Sequence, residues 1–277
     1  MTDLERLPGC DGQVGPEPWS GWSLEGRVAL VTGASRGLGL QTVTAFARAG
    51  ADVVVTSRDV GSCEDVAAEL RRHTGRRAVA IGCHVGRWDE IDALVEAAYD
   101  HFGRIDVLVN NAGMSPRYGR ASDLSRELWN KVFDVNLAGP FRLSALVGER
   151  MAEGDGGVII NVSSVAAVHP TGEVLPYAAA KAGLNALTEG FARALGPRVR
   201  VNAIMAGTFL TDISRAWDMS LFERQAAGFA LQRAARPDEI VGTMLYLASE
   251  ASSYTTGAVI PVHGGYAPLL DTDIGSP

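Results

Sequence analysis

The stretch Val28-Ala-Leu-Val-Thr-Gly-Ala-Ser-Arg-Gly-Leu-Gly39 decides the fold, because an apolar run leads directly into three closely spaced glycines. The apolar run predicts a buried strand, and the apolar residues after Gly39 recur at helical spacing. Glycine allows a tight turn and lets the backbone approach a ligand without a Cβ in the way. A helix that begins at such a turn directs its free N–H groups at an anion. The stretch therefore predicts a strand, a phosphate-binding loop and a helix, in that order.

The same alternation of strand and helix continues along the rest of the chain. Further apolar runs predict strands at residues 53–56, 78–81, 105–109, 158–162, 199–204 and 258–262, and helical spacing predicts a helix over 88–102. Continuous apolar strands that alternate with helices predict an α/β protein: a doubly wound, Rossmann-like parallel sheet with helices on both faces. We interpret residues 25–277 as one such domain. Residues 1–24, which glycine and proline interrupt repeatedly, are interpreted as an irregular N-terminal extension.

Composition and charge exclude several classes of protein. Hydrophobic residues make up 47% of the 277 residues, which excludes a disordered chain and allows a large core. The net charge of −7 gives no basic footprint for nucleic acid or for an anionic membrane. No apolar run reaches the length of a membrane-spanning helix. We therefore expect a small-molecule substrate, with no nucleic-acid partner and no membrane partner.

Cysteine and histidine usage bears on the compartment and on metals. The cysteines are odd in number and lack CxxC spacing, which predicts free thiols: Cys10, Cys63 and Cys83. The N-terminus shows no apolar segment of a signal peptide, and together these features predict a cytoplasmic protein. Three histidines lie on separate segments without ligand spacing, so no metal site is predicted from them: His84, His169 and His263.

The end of the second strand bears on the identity of the phosphate-bearing ligand. A dinucleotide such as NAD is held through its ribose 2′-hydroxyl by an acid at this place, but the strand ends Thr56-Ser57-Arg58. Arg58, together with Arg36 of the glycine loop, can instead pair with a 2′-phosphate. We therefore predict NADP. NAD stays open as the alternative, because Asp59 follows one position later and a shifted loop would aim it at the ribose.

A tyrosine and a lysine four residues apart carry the predicted chemistry. Tyr177 and Lys181 share one face of a helix, and the chain has so few lysines that a chance pairing is rare. A tyrosine hydroxyl has a pKa of about 10, which is too high for a good base at neutral pH. A neighbouring ammonium favours the phenolate and lowers that pKa. Tyr177 beside Lys181 is therefore a candidate general acid and base.

Polar residues follow two predicted strands at the same edge of the sheet. Ser163 and Ser164 end the fifth strand, where α/β proteins bind ligands, and either hydroxyl can donate to a carbonyl oxygen. The segment Asn110-Asn-Ala-Gly113 follows the fourth strand. Asn136 falls inside a predicted long helix, where asparagine has a poor propensity, and this indicates a local contact with backbone or water.

The chain resembles the short-chain dehydrogenase/reductase family of the single-domain type over about residues 25–267. The motifs that carry the resemblance occur in order: Thr32-Gly-x-x-x-Gly-x-Gly39, Asn110-Asn-Ala-Gly113, Asn136, Ser164 and Tyr177-x-x-x-Lys181. The resemblance implies hydride transfer between a nicotinamide cofactor and a carbonyl or alcohol, with Tyr177 exchanging the proton. It implies that Ser164 polarises the substrate oxygen and that Lys181 binds the nicotinamide ribose and lowers the pKa of Tyr177. Asn136 would hold a water that links Lys181 to solvent. A homotetramer or homodimer is also implied, with the helices around Asn136 and Tyr177 at an interface.

The glycine loop and the family pattern together predict the cofactor-binding residues: Gly33, Ser35, Arg36, Gly37, Leu38, Gly39, Ser57, Arg58, His84, Val85, Asn111, Ala112, Gly113, Tyr177, Lys181, Gly207, Thr208 and Thr211. Three positions depart from the family. His84 stands where the family has an aspartate that contacts the adenine, although a backbone contact from Val85 can survive. Ala206 replaces a proline, so we expect a more mobile loop before Gly207. His263 replaces a late aspartate. None of the three is expected to affect the proton-transfer residues.

The region after the sixth strand bears on the substrate. Its apolar residues predict a lid over the nicotinamide: Phe209, Leu210, Trp217, Met219, Leu221, Phe222 and Phe229. The remaining walls are expected from Met114, Tyr118, Val165, His169, Pro170, Val174 and Leu175. We predict a hydrophobic ketone or secondary alcohol. A 3-oxoacyl group on a carrier or thioester is the alternative, and an acidic carrier would dock on a basic patch formed by Arg117, Arg120, Arg198 and Arg200. A non-catalytic, dinucleotide-binding redox sensor is the alternative of another class.

Overall fold

The computed structural model describes residues 20–211 and 226–266. Its centre is a seven-stranded parallel sheet with the order β3-β2-β1-β4-β5-β6-β7. The strands are β1 (Val28–Thr32), β2 (Asp52–Ser57), β3 (Ala78–Gly82), β4 (Val107–Asn110), β5 (Gly157–Ser164), β6 (Val199–Ala206) and β7 (Val259–Val262). The predicted strands agree with these to within two residues at either end, which confirms the fold class.

Helices cover both faces of the sheet. They are α1 (Gly37–Arg48), α2 (Val60–Thr74), α3 (Trp88–Phe102), α4 (Arg126–Phe133), α5 (Gly139–Glu153), α6 (Leu175–Leu195) and α7 (Val241–Ala248). One hydrophobic core lies between the sheet and α1, α2 and α7, and a second lies between the opposite face and α3, α5 and α6. The strands are apolar on both sides because each side meets one of these cores. The helix predicted over 88–102 has the bounds that the structure shows.

The strand order places a crevice at one edge of the sheet. From β1 the chain moves outward through β2 and β3, then returns to β4 on the other side of β1. The loops after β1 and β4 therefore separate in opposite directions, and such a switch point is where open α/β sheets bind ligands.

Part of the predicted N-terminal extension is described. Residues 1–19 lie outside the described residues, and Ser20–Trp22 forms a short 3₁₀ helix. The Trp22 ring packs 6.2 Å from the Tyr246 ring, centroid to centroid, which ties this segment to α7. No helix within residues 20–211 and 226–266 is both long and apolar enough to cross a membrane.

Candidate active site

A cavity of about 1040 Å³ opens at the carboxyl edge of the sheet. Its walls come from the loops after β1 to β6 and from α4 and α6. Every residue predicted to bind the cofactor lines this cavity, with the exception of Gly39. Ser164 lines it as well, whereas Asn136 does not. The structure thus brings together side chains that are far apart in the sequence.

The backbone of the glycine loop adopts conformations that favour glycine, and it leads into a helix whose first turn has no side-chain cap. Gly33 and Gly37 have φ angles of +65° and +56°, which residues with a Cβ rarely adopt. Arg36 precedes α1 and provides no side-chain hydrogen bond to its first turn, so the N–H groups there are left for a ligand. A Cβ on Gly39 would lie 2.3 Å from the carbonyl oxygen of Gly33. Gly39 therefore serves the close packing of α1 on the loop rather than the cavity wall.

Thr32, at the end of β1, joins the two loops on either side of the crevice. Its Oγ1 accepts hydrogen bonds from the backbone N–H of Asn111 at 2.9 Å and of Ala112 at 3.0 Å, and it donates to the Val109 carbonyl. The Asn111 side chain donates in turn to the Thr32 carbonyl at 2.7 Å. Sequence reasoning included Thr32 in the motif without a role. A polar residue at the end of a buried strand is the signal that could have indicated one.

Asp59 is engaged at the start of α2. One carboxylate oxygen accepts from the backbone N–H of Gly61 at 3.1 Å and of Ser62 at 3.3 Å, and the other accepts from the Ser62 hydroxyl at 2.5 Å. These hydrogen bonds hold the pKa of Asp59 below its ordinary value, and the bond from the Ser62 side chain contributes most. Neither Arg36 nor Arg58, which line the same cavity, forms an ion pair with any described residue. Asp59 lines the cavity as well, but its carboxylate is engaged by the helix cap, whereas the two arginines have no ionic partner among the described residues.

Tyr177 and Lys181 lie one turn apart on α6, as their spacing predicts. Tyr177 is half-buried and lines the cavity together with Ser164. Lys181 is fully buried, with Nζ 5.7 Å from the centroid of the Tyr177 ring. Its Nζ donates to the Val162 carbonyl of β5 at 2.7 Å. The end of β5 and the first turns of α6 therefore position all three groups.

Burial shifts the protonation of both groups. It raises the pKa of Tyr177, and the hydrogen bond from Ser164 opposes that shift. It lowers the pKa of Lys181 to about 8. Lys181 is itself desolvated and donates to a backbone carbonyl, and its lowering of the Tyr177 pKa stays a prediction. Ser164 is the group that favours the phenolate here.

Asn136 lies in a π-helical segment, Asp134–Ala138, that joins α4 to α5. Its Nδ2 donates to the carbonyls of Met114 and Val132, and its Oδ1 accepts from the Met114 N–H at 3.2 Å. This is the backbone contact that its poor helix propensity indicated. A Cβ placed on Gly113 would lie 3.0 Å from Asn136 Oδ1 and 3.7 Å from Lys181 Nζ. Asn136 therefore fixes the loop after β4 directly beside Lys181.

Sequence reasoning missed further residues of the cavity wall. Cys83, Ser115 and Lys131 line it, and Lys131 is an exposed residue of α4. Lys131 precedes Val135, another wall residue, by four positions, so helical spacing could have indicated it. Lys131 adds a third cation to Arg36 and Arg58.

The family departures have local structural roles. Ala206 ends β6 and pairs with Val262, and the Gly207 N–H donates to the Val262 carbonyl at 2.9 Å. His263 accepts the Tyr266 N–H through Nδ1 at 3.0 Å.

In the part of the chain that is described, no three His, Cys, Asp or Glu side chains are grouped to hold a metal.

The prediction of a single basic patch that would dock an acidic carrier is wrong. Arg117 and Arg120 lie in the loop after β4, at the carboxyl edge of the sheet. Arg198 precedes β6 at the opposite edge and donates to the Gly154 carbonyl at 2.7 Å. Arg200, in the first half of β6, donates to the Ser252 hydroxyl and to the Leu247 carbonyl. The four arginines therefore do not form one surface, because the amino and carboxyl ends of a strand are separated by its length.

Only some of the residues predicted to form the lid and the walls of the substrate pocket line the cavity. Phe209 is buried and lines the cavity, Leu210 is exposed, and Phe229 is buried against Tyr266. Trp217, Met219, Leu221 and Phe222 lie outside the described residues. Of the expected walls, Met114 and Val165 line the cavity. The other expected wall residues do not: Tyr118, His169, Pro170, Val174 and Leu175. Tyr118 instead ties two loops, donating to the Gly172 carbonyl at 2.8 Å and accepting the Leu175 N–H.

Comparison with known proteins agrees with this geometry. Residues 33–267 match a family model described as enoyl-(acyl carrier protein) reductase. The short chain dehydrogenase/reductase astE of Aspergillus oryzae is 39% identical over 250 residues, covering 88% of this chain and 96% of that one.

Solved structures show the same likeness. A short-chain type dehydrogenase/reductase from Mycobacterium marinum superposes with a TM-score of 0.85 at 32% identity, covering 91% of this chain and 99% of that one. The NADPH-dependent 3-quinuclidinone reductase of Rhodotorula rubra gives a TM-score of 0.86 at 29% identity, with 94% and 98% covered. With its glycine loop, its parallel sheet and the Tyr177–Lys181 pair, the chain belongs to the short-chain dehydrogenase/reductase family, nucleotide-binding oxidoreductases that act on CH–OH groups.

Proposed function

We propose that this chain is an NADP-dependent oxidoreductase that interconverts a hydrophobic ketone and a secondary alcohol, with Tyr177 as general acid and base. The observation that carries the proposal is the meeting of Ser164, Tyr177 and Lys181 at a cavity that also presents the glycine loop. A proton donor and an anion-binding loop in one cavity fit a reaction that exchanges a proton and uses a phosphate-bearing cofactor.

Each catalytic group has a role that follows from its surroundings. A bound nicotinamide cofactor would supply or accept the hydride. Burial keeps the Tyr177 hydroxyl protonated at neutral pH, so it is ready to donate to a carbonyl oxygen during reduction and to take the proton back during oxidation. Ser164 holds the same oxygen through its hydroxyl. Lys181, with a pKa of about 8, stays largely protonated at pH 7 and presents a cation beside the ring of Tyr177. Asn136 keeps the loop at Gly113 in place beside that cation.

The preference for NADP rests on the charges of the cavity. Arg36, Arg58 and Lys131 line it without an ion pair to any described residue, which suits a ligand that carries a 2′-phosphate besides its pyrophosphate. Asp59 is the acid that could favour NAD, and its carboxylate is directed at the first turn of α2. The hydrophobic substrate is supported by Met114, Val165 and Phe209 on the cavity wall.

Tyr177→Phe tests the catalytic assignment. We expect turnover of hydrophobic ketones with NADPH to fall by about 10²–10⁴-fold, while NADPH binding is retained. Tyr254→Phe is the matched control, because Tyr254 is fully exposed and should leave turnover unchanged. Unchanged turnover in Tyr177→Phe would show that another group exchanges the proton. A wild-type protein that binds NADPH and turns over no carbonyl compound would support the redox-sensor alternative.

Arg58→Ala and Asp59→Ala test the cofactor assignment. Loss of a charge-assisted hydrogen bond is worth about 1.5–3 kcal/mol, so Arg58→Ala should weaken NADPH binding at least tenfold and leave NADH binding unchanged. Asp59→Ala should lower the melting temperature with the loss of its cap and leave NADPH affinity unchanged. Tighter binding of NADH than of NADPH by the wild-type protein would contradict the NADP proposal.

A 3-oxoacyl thioester remains the second candidate substrate, because the matched family model is described as enoyl-(acyl carrier protein) reductase, whose substrate is likewise carried on a protein. The separation of Arg198 and Arg200 from Arg117 and Arg120 removes the basic patch expected for an acidic carrier. Turnover of a 3-oxoacyl thioester at a higher kcat/KM than hydrophobic ketones would favour this candidate.

We further propose that residues 25–277 act as one domain, in the cytoplasm, and assemble as a homodimer or homotetramer. Trp88 on α3 and Phe141 on α5 are exposed large apolar residues whose ring centroids lie 6.4 Å apart, and they support a buried contact with another copy. Sedimentation equilibrium would test the assembly, and a monomer at micromolar concentration would contradict it.

A further inference from the structure

The first turn of α6 is capped by a side chain from another loop. Val174 precedes the helix and its side chain has no atom that can accept a hydrogen bond. The Leu175 N–H, the first of the helix, donates instead to the Tyr118 hydroxyl at 3.1 Å. The first N–H groups of a helix have no partner within the helix itself, so an acceptor at this place stabilises the first turn. Tyr118, in the loop after β4, therefore supplies the cap that the local sequence lacks.

The Tyr118 hydroxyl is held in a defined orientation. It donates to the Gly172 carbonyl at 2.8 Å, which fixes its proton and leaves a lone pair for the Leu175 N–H. The loop that carries Tyr118 is fixed as well, because Asn136 bonds both the N–H and the carbonyl of Met114. The cap thus connects an anchored loop after β4 to the start of the helix that follows β5.

Tyr177 is the third residue of α6, two positions after the capped N–H. The first turn of the helix therefore determines where the Tyr177 hydroxyl lies. A displacement of about 1 Å at a reacting group can lower a rate by as much as about 10²-fold. We infer that Tyr118 is a positioning residue, whose hydroxyl caps α6 and so holds the Tyr177 hydroxyl in place for proton exchange. The inference rests on the proposed function, in which Tyr177 is the general acid and base.

A second contact between the same two loops provides a matched control. Arg117 Nε lies 3.6 Å from Glu173 Oε2, and both side chains are exposed. An exposed ion pair contributes little stability, and this one involves no residue of α6. Arg117→Gln removes this contact and leaves the cap in place. Tyr118→Phe removes the cap and keeps the aromatic ring.

Steady-state kinetics of the full-length proteins test the inference. The probes are NADPH and the best substrate from a panel of aryl and cycloalkyl ketones. In Tyr118→Phe we expect kcat to fall about tenfold, while the KM values for NADPH and ketone change by less than about twofold. The KM values should stay because Tyr118 does not line the cavity, so that only the placement of Tyr177 is affected. Arg117→Gln should keep the kcat of the wild type.

Several outcomes would overturn the inference. They are an unchanged kcat in Tyr118→Phe, an equal fall in Arg117→Gln, and a fall in kcat accompanied by an equal loss of NADPH affinity. Hydrogen exchange at the Leu175 amide of the wild-type protein gives a test that does not depend on the folding of a variant. We expect protection of this amide, and exchange as fast as that of an exposed amide would show that the cap does not form.

The two measurements also separate this inference from the proposed function. A wild-type protein that reduces no ketone of the panel would overturn the proposed function, and with it the role of Tyr118 in positioning Tyr177. Fast exchange at the Leu175 amide in a protein that does reduce ketones would overturn the inference alone.

Discussion

Replacing Gly39 by alanine should destabilise the protein, although alanine is the better helix former. A Cβ at this position would lie 2.3 Å from the carbonyl oxygen of Gly33 and 2.6 Å from the side-chain nitrogen of Asn111. Neither atom can easily retreat: the Asn111 amide donates to the Thr32 carbonyl at 2.7 Å, and Gly33 belongs to a turn with positive φ. The contact between α1 and the loop must therefore open.

The size of the effect follows from this geometry. Cβ atoms essentially never approach other heavy atoms within 3.0 Å, so α1 or the loop must shift by about 0.7 Å at least. Overpacking of this kind costs about 1–3 kcal/mol or more, against a gain of about 1 kcal/mol in helix propensity. Because a whole helix must shift, we expect the upper part of that range to apply and a net loss of about 1–2 kcal/mol. That loss corresponds to a melting temperature lower by roughly 2–8 °C in a chain of this size.

Gly190→Ala is the matched control for this prediction. Gly190 lies in α6, and a Cβ there meets nothing within 4 Å, so alanine should stabilise by up to about 1 kcal/mol. Thermal unfolding followed by circular dichroism compares the two variants, and NADPH titration reports on the displaced loop. A Gly39→Ala protein as stable as the wild type would refute the reasoning, because the close contact would then be relieved without cost.

Two further predictions concern buried charges. Lys181→Met should abolish turnover and raise the unfolding free energy at pH 7. Burial lowers the pKa of folded Lys181 from 10.5 to about 8, so the wild type gains stability as pH rises from about 8 to 10.5. The excess unfolding free energy of the Met variant over the wild type should therefore shrink between pH 7 and pH 10. Urea unfolding midpoints at several pH values measure it, and a difference between the two proteins that does not change with pH would contradict the prediction. Asp106→Asn keeps an acceptor for the Val28 N–H but loses the charge-assisted bonds from Arg104. It should lower the unfolding free energy by about 1.5–3 kcal/mol, because Arg104 is half-exposed and stays solvated, and an unchanged melting temperature would argue against it.

The strands could be predicted from the sequence because both faces of the sheet are buried. Most of each strand is apolar, although Asn161 interrupts β5 and Arg200 and Asn202 interrupt β6, and the turn residues that end a strand are unlike its apolar part. The site could be predicted for a related reason. The carboxyl ends of parallel strands share one edge, so the residues after β1, β4 and β5 had to meet there. The same reasoning could have excluded Arg198 and Arg200 from that edge, because Arg198 directly precedes β6 and Arg200 is its second residue.

Local competition for hydrogen bonds could not be predicted in the same way. The helical periodicity around Asn136 continues through the π-helical segment, and only the structure shows that its amide bonds the Met114 backbone. Gly39 belongs to the glycine motif, yet its contact with Gly33 depends on how closely α1 approaches the loop. Such contacts depend on differences of less than 1 Å in the positions of atoms. The pattern of residue types does not specify positions that finely.

Asp59 shows how one position in the sequence can change the role of an acid. Asp59 lines the cavity, where a carboxylate with no other partner could accept a hydrogen bond from a ribose hydroxyl. At residue 59 the chain is turning into α2, and two backbone N–H groups of the first turn and the Ser62 hydroxyl lie within reach of the carboxylate. These bonds stabilise the start of α2, so turning Asp59 towards a ribose would forfeit that stabilisation. Under the proposed function, the capping of α2 thus contributes to the cofactor preference by leaving Arg58 as the charged group at the end of β2.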